Sequence, residues 1–531
     1  MSTQRALFCA DIVSEIAETI NLDSTCTPQQ RRQCLAPMAR VSRSFSDPSL
    51  RALWADMNTL EPLIKILPDV IDAVESVGGL ALNGRDTYRY ALNGDVSDVA
   101  WNRFEQYASR IQTLALHHWQ TNILDPLSWN YLARRATGPL LPSLRSLIWP
   151  VAPPYHIDST CLLSPSLRKL KILFPFSDVI PPDQWAHGIR MFFRNTFLAA
   201  PNLRVLAMWS GTIANENISH RVPLRAFGDA LSSLTMLPQL TMFQSLHFPI
   251  VVDNYSLLSA LAALPLLCDL LLHVDLRQGQ LKGITSGFSH LKRLSLSGVL
   301  DSESLTDFRE SSALQALRLV HHPNAALLDL HQALKVISKQ HPLLSQLIWR
   351  HSLESHQPDS LTRLLEPISG LRELRVLTLS FTNATLSDSD IELVATGCPC
   401  LIKLKLKCRK GSAQGGSPTT HALVVLARQC PSLSLLYLSS IRMSEVDYSA
   451  VDTLPVLDHG LELLGFGQLH CESDRFSAMV VDRLFPRLDI SQSQRGVTKP
   501  PPERWADVLD QLESFQYARK QERQRGTQMN G

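Results

Sequence analysis

The chain has 531 residues, 45% hydrophobic and 19% charged, with a formal net charge of +2. That apolar share is ample for a continuous core and excludes wholesale disorder. The near-neutral balance, without a long basic run, argues against nucleic acid as a partner. Ten cysteines follow no spaced framework and several sit inside apolar runs, so reduced, buried thiols in the cytoplasm or nucleus are expected. The apolar patch at 6–10 meets Asp11 and Glu15 at once and does not read as a signal peptide. The longest apolar stretch, 257–274, contains Ser259, Pro265, Asp269 and His273, so no membrane span is expected.

In chain order, 11–20 is the first expected helix. Ile12, Val13, Ile16 and Ile20 share one face, with Glu15 and Glu18 off it. Thr27-Pro28 supplies a cap and a first-turn proline to a second helix running through Arg31 and Leu35. A third is expected over 36–45, and Asp47-Pro48 is expected to open a fourth over 49–56. Four short helices bury little surface by themselves, so this segment should dock on something.

Beyond it, the pattern L-x-x-L-x-L recurs, starting at Leu267, Leu291, Leu314, Leu374, Leu401 and Leu433. Allowing other apolar residues adds Ile111, Leu144, Leu167, Leu203, Phe243, Leu344, Leu461 and Phe485. A proline stands two residues ahead of the motif at Pro142, Pro165, Pro201, Pro265, Pro342, Pro399 and Pro431. Proline cannot continue a helix and lacks a ladder donor, so it belongs between a finished helix and a starting strand. Amphipathic stretches at 257–264, 330–339, 391–396 and 423–428 precede several of these prolines. Helix, proline, short strand and loop, repeated every 23 to about 40 residues, is a leucine-rich repeat. Thr382, Arg409 and Ile441 stand where an asparagine ladder would run, so an irregular α/β horseshoe solenoid is expected, with strands concave and helices convex. Along each strand the third and fifth motif positions face outward. In the Leu401 repeat these are Lys403 and Lys405, with Lys407 next. Tyr437 and Arg350 are expected on neighbouring strands, and Trp209, His247 and His273 further off. Lys403, Lys405, Lys407, Tyr437 and Trp209 are the candidate substrate-binding residues; the lysines would attract an acidic or phosphorylated segment, or else serve as a solvated strand face.

The tail from Ser491 is expected to begin loose, through Pro500-Pro501-Pro502, and then form an amphipathic helix over 503–521 that caps the last repeat. Trp505, Val508, Leu509, Leu512 and Phe515 are its apolar positions. No phosphate loop, dinucleotide fingerprint, nucleophile elbow or zinc-protease motif occurs. Gly411-Ser-Ala-Gln-Gly415-Gly416 reads as an insertion, and Cys398-Pro399-Cys400 with Cys430 as packing at repeat turns, not as a metal site. The histidine pairs His117-His118 and His321-His322 read as surface residues. An enzyme with its site in an inserted loop over 174–195 has no motif behind it, so no catalytic residue, metal or cofactor is expected.

The run Leu35-Ala-Pro-Met-Ala-Arg-Val41-Ser-Arg43-Ser-Phe45, followed by Leu50, Leu53 and Trp54, resembles the second half of an F-box, although Cys9-Ala10 replaces the usual opening Leu-Pro. The segments from Leu60 to Pro68 and from Trp101 to Arg110 resemble the linker of F-box leucine-rich-repeat proteins common in mushroom-forming basidiomycete fungi. The resemblance implies an F-box-like helical domain over 1–68, a repeat solenoid over 69–490 and a proline-rich linker with a capping helix over 491–531. It implies a substrate receptor of a Skp–cullin–F-box ubiquitin ligase, with a Skp-type linker protein and cullin complex as partners beside an unidentified protein substrate. Ile12, Val13, Ile16, Leu35, Val41 and Phe45 would meet the Skp-type protein. The alternative is a helical cap on a protein-binding repeat scaffold without a ligase.

Overall fold

Most repeat motifs set their three apolar positions in the same way in the computed structural model. The first closes a turn, its N–H donating to the carbonyl three residues back: Leu144 to Leu141, Leu344 to His341, Leu401 to Cys398, Leu433 to Cys430. The next two alternate with outward residues along a strand and point inward. Leu401, Leu404 and Leu406 are buried, as are Leu374, Leu377 and Leu379, and Leu433, Leu436 and Leu438. The structure describes residues 9–23, 25–68, 70–72, 90–116, 124–150, 161–174, 182–210, 230–250, 255–275, 287–299, 311, 313–321, 327–351, 359–361, 365–382, 384–409, 417–444, 456–496 and 502–529.

The chain divides into two compact units, Met1–Ile250 with Ala263–Leu267, and Val251–Ala262 with Cys268–Gly531. Besides an antiparallel pair, Val70–Asp72 with Tyr90–Leu92, the first unit has the strands β1 (Asp56–Met57), β2 (Thr113–Ala115), β3 (Ser146–Pro150), β4 (Lys169–Phe174), β5 (Val205–Ser210) and β6 (Met242–Ile250). Each pairs with the next in parallel. In the second unit are β7 (Asp269–Asp275), β8 (Arg293–Val299), β9 (Ala316–His321), β10 (Gln346–His351), β11 (Val376–Thr382), β12 (Lys403–Arg409), β13 (Leu435–Leu438) and β14 (Leu463–Phe466). These too pair in parallel and in chain order. Parallel neighbours consecutive in sequence need a crossover each time. The result is a mixed α/β fold with long parallel pairing, compatible with a solenoid.

A second regularity sits at the strand entrances. The Arg375 carbonyl accepts from both Ile402 and Lys403, that of Ile402 from Ser434 and Leu435, and that of Ser434 from Glu462 and Leu463. This sets the register from one repeat to the next. Two motif starts fall elsewhere than expected. Phe243 pairs with Leu206, the second apolar position, so that repeat begins at Leu240 and buries Ser245 in the third place. The Phe485 motif buries Phe485 and Leu488 but is followed by a helix, Ile490–Gly496, instead of a strand. The tail therefore does not begin loose at Ser491: that helix offers Ser493 Oγ to the N–H of Leu464 on β14 at 3.3 Å.

Among the described residues, the N-terminal segment forms three helices before β1: α1 (Ala10–Leu22), α2 (Pro28–Met38) and α3 (Arg43–Ala55). The expected break at Asp47-Pro48 does not occur, and 36–45 is not one helix. α2 ends at Met38, and α3 starts after Ser42 and carries Pro48 inside it. Proline inside a helix forfeits a hydrogen bond, but Ser49, Ala52 and Leu53 turn one face of α3 inward, and that packing keeps the helix continuous. α2 has the anticipated cap: Thr27 Oγ1 accepts from Gln30 N, and Gln30 Oε1 accepts from Thr27 N at 2.8 Å. The residues of 174–195 from Pro182 onward belong to a helix, Pro182–Ala199, not a loop.

In the second unit, repeat helices α4 (Asp388–Gly397) and α5 (Thr420–Gln429) are linked at their starts. Asp388 accepts from both the N–H and hydroxyl of Thr419, at 2.7 Å each. After α6 (Asp474–Leu484) the chain ends in α7 (Glu503–Met529). α7 buries Trp505, Val508, Leu509 and Leu512, while Phe515 is half-buried. Trp505 meets Phe466 of β14 near edge-on, with centroids 4.7 Å apart, and Arg519 pairs with Asp482 of α6. No described helix is long and apolar enough to cross a membrane.

Candidate functional site

Two faces, one in each unit, carry the candidate residues. In the first unit, α1–α3 close around Ala17, Leu35 and Ala52, with Ile20, Met38 and Leu53 partly buried against them. The two alanines let the helices approach closely, and so small a core leaves other apolar side chains outside. Ile12 and Ile16 are each 37% exposed and Val41 is 68% exposed. Phe45 is half-buried. Val13 and Leu35, assigned by resemblance to the same binding set, are fully interior. They hold the helices in place and present no surface to a partner.

Contacts from α3 fix the bundle to the segment around Tyr107 and to the first strands. Trp54 packs on Tyr107, with centroids 4.7 Å apart. Arg110 lies over the Tyr107 ring at 5.3 Å and pairs with Asp47 at 2.7 Å. Asp47 also holds Arg51 at 2.9 Å. The Gln112 N–H donates to the Ala55 carbonyl at 2.9 Å and leads into the β1–β2 pairing. The expected docking of the helices is thus met first within the chain.

The second face is the side of the sheet opposite the buried leucines. Arg318, Ile348, Thr378, Lys405, Tyr437 and Gly465 align across β9–β14 in one row. Arg350, Ser380 and Lys407 form the next row, and Gln346, Val376, Lys403 and Leu435 the one before. Arg318, Arg350, Lys403 and Lys407 are exposed, and Lys405 is half-buried. Burial lowers the Lys405 ammonium from its ordinary range, and Lys407, Lys403 and Arg350 lower it further as like charges. Lys407 lies over the Tyr437 ring at 5.2 Å. Tyr437 is only 5% exposed, so it supports the lysine and offers little free ring surface. Its hydroxyl lies so close to Gly467 that a Cβ there would stand 2.9 Å from it.

Trp209 is not part of this cluster: it belongs to the first unit, where Lys171 of β4 lies 4.3 Å from its ring. His273 bonds Ser297 Oγ at 2.9 Å. The side chains of His247 and Arg409, and residues His117, His118, His322, Lys410 and 411–416, lie outside the described residues. Arg318 was missed in the sequence, although the rule naming Lys405 applies to it, since it is the fifth position of the Leu314 motif. Among the described residues no group of histidine, cysteine and carboxylate side chains could hold a metal ion.

Comparison with protein-family models and with curated proteins finds no match. Among solved structures, the Rad7–Elc1 complex in yeast is similar at 16% identity and TM-score 0.28, covering 76% of this chain and 92% of that one. A protein from Bacteroides fragilis is similar at 13% identity and TM-score 0.26, covering 57% of this chain and 65% of that one.

Proposed function

We propose that this chain is a substrate-recognition subunit of a Skp–cullin–F-box ubiquitin ligase, a binding protein of the cytoplasm or nucleus and not an enzyme. The helices at 1–68 act as an F-box-like domain, the repeats at 69–490 form a horseshoe solenoid that holds the substrate, and 491–531 caps it. The observation that carries this reading is the exposed apolar set Ile12, Ile16 and Val41 on a bundle whose own core is already complete. Apolar side chains left out of a finished core, on helices anchored at the other end by Trp54 and Asp47, suit a partner that buries them. Phe45, half-buried beside them, would complete the contact. The second reading, a repeat scaffold without a ligase, is favoured by the intramolecular docking of the same helices.

The test is co-purification of the full chain with Skp-type and cullin subunits, beside a variant carrying Ile12→Asp, Ile16→Asp and Val41→Asp. These positions are exposed, so the fold should survive, whereas a carboxylate buried against a partner costs several kcal/mol. Loss of both subunits from a folded variant is expected. Undiminished recovery, or no recovery with the unaltered chain, leaves the scaffold.

A further inference from the structure

We infer that the outward face of β9–β13 binds an extended polypeptide segment whose acidic side chains fall at every second residue, held by Lys403 and Lys407 with Arg350 and Arg318 beside them. The inference deepens the receptor reading by naming a substrate class. Its first support is charge. The outward strand positions described from β9 to β14 hold five cations and no carboxylate. On β7 and β8, by contrast, the outward Asp269 is present and holds Arg293 at 2.8 Å. Lys405 sits among Lys403, Lys407 and Arg350 with its ammonium destabilised, so a bound anion would relieve a repulsion the fold already contains.

Spacing chooses the occupant. Lys403, Lys405 and Lys407 alternate with inward Leu404 and Leu406, so their stems leave the sheet about 6.6 Å apart, twice the strand rise. An extended peptide presents alternate side chains at the same interval, so each carboxylate can meet one lysine. Three consecutive acids place only two on one face of an extended chain, and a helix that returns acids every fourth residue, about 6 Å apart, turns them by about 40° at each step, so three do not stay over one strand. Arg350, two strands from Lys407 in its row, and Arg318, three strands from Lys405 in its own, widen the face across the peptide. Nucleic acid fits less well, because Tyr437, the aromatic ring beside the lysines, is 5% exposed and leaves no platform for base stacking.

The experiment is fluorescence anisotropy on the full chain with three labelled peptides of equal length: glutamate at alternate positions, the same glutamates made consecutive, and phosphoserine at alternate positions. A single-stranded oligonucleotide of similar charge is the fourth probe. The alternate-glutamate peptide should bind more tightly than the consecutive one and weaken as salt rises, and phosphoserine in the same places should bind more tightly still. Lys403→Glu with Lys407→Glu should weaken the alternate peptide by about tenfold or more, while Lys335→Glu, an exposed residue on a helix, should leave it unchanged. Lys403→Gln with Lys407→Gln repeats the test without charge reversal, should the first pair disturb folding. Equal affinity for the consecutive peptide, preference for the oligonucleotide, or indifference to both lysine pairs would overturn the inference. Skp-type co-purification measured on the same variants separates the two ideas. Kept adaptor with lost peptide leaves both standing; no adaptor with the unaltered chain, while peptide binding is still lost in the lysine variants, removes only the ligase reading.

Discussion

At the residue scale, the position three before the first leucine is filled in most motifs by very different side chains. Ala200, Leu237, Phe288, Ser311, His341, Leu371, Cys398 and Cys430 all occupy it, and all are buried. A place that accepts alanine and phenylalanine alike asks only for burial, which explains the cysteines without a metal. Burial pushes the Cys398 thiol up to about 12 and the Cys430 thiol up to about 11. A thiolate is the reactive form. Iodoacetamide at neutral pH should therefore modify exposed Cys9, Cys34 and Cys400 in the folded protein and reach Cys398 and Cys430 only on unfolding. Peptide mass mapping that found Cys398 modified as fast as Cys400 would contradict this packing role. His341 makes the same position sensitive to pH. Burial lowers its pKa from 6.5, opposed by a backbone hydrogen bond with Ser311. The unfolded chain then takes up the proton first as pH falls, so the folded protein keeps its stability above the ordinary value and loses it progressively below. His341→Leu copies Leu371 of the next repeat and removes that loss. Between about pH 7 and pH 5 the urea midpoint of the unaltered chain should fall further than that of the variant; parallel falls would refute the assignment.

At the scale of elements, close approach between adjacent repeats decides what a helix can carry. A Cβ added to Gly397, at the end of α4, would stand 2.4 Å from Ser369 Cα in the preceding repeat. Alanine gains about 1 kcal/mol of helix propensity over glycine, but overpacking against backbone costs about 1–3 kcal/mol. Gly397→Ala should therefore lower the unfolding free energy in urea, and an unchanged or higher value would show that the repeats can separate freely. Such contacts lie beyond sequence reading, which found the repeat helices by period but could not show which neighbouring atoms they meet. Strand phase was legible because the proline and three apolar positions agree in most repeats. It slipped at Phe243, where Ser245 fills the third place and a shifted match looked better. The N-terminal face was legible only in part. Ile12 and Val13 are equivalent to a periodicity argument, yet one is exposed and the other interior, since the alanine-lined closure of three helices decides it. The outward lysines were found because β-strand alternation allows two faces only.

At the scale of the whole molecule, stability should follow the one-dimensional order of the repeats. In the second unit each strand of the β7–β14 series pairs within it only with its immediate neighbours, so a repeat depends on the next one. The series finishes at β14, where Ser493 takes the Leu464 N–H and Trp505 covers Phe466. Removing that cover should therefore loosen the end before the middle. Trp505 is 1% exposed, and truncating a tryptophan so buried costs about 3–5 kcal/mol. In an all-or-none unit that cost would appear equally at every protected amide. In a repeat array it is felt first by β14 and β13, then β12, and little at β9 and β10. Native-state hydrogen exchange of Trp505→Ala is expected to show this gradient, with the largest loss of protection at Leu464 and Leu436 and the smallest at Leu319. The lysine-bearing strand lies between these limits. Partial loosening at Leu404 and Leu406 should reduce acidic-peptide affinity in the variant, although Trp505 lies on α7 and outside the binding face. Uniform loss of protection across β9–β14 would show instead that the unit unfolds as one body and that its repeats are not energetically separable.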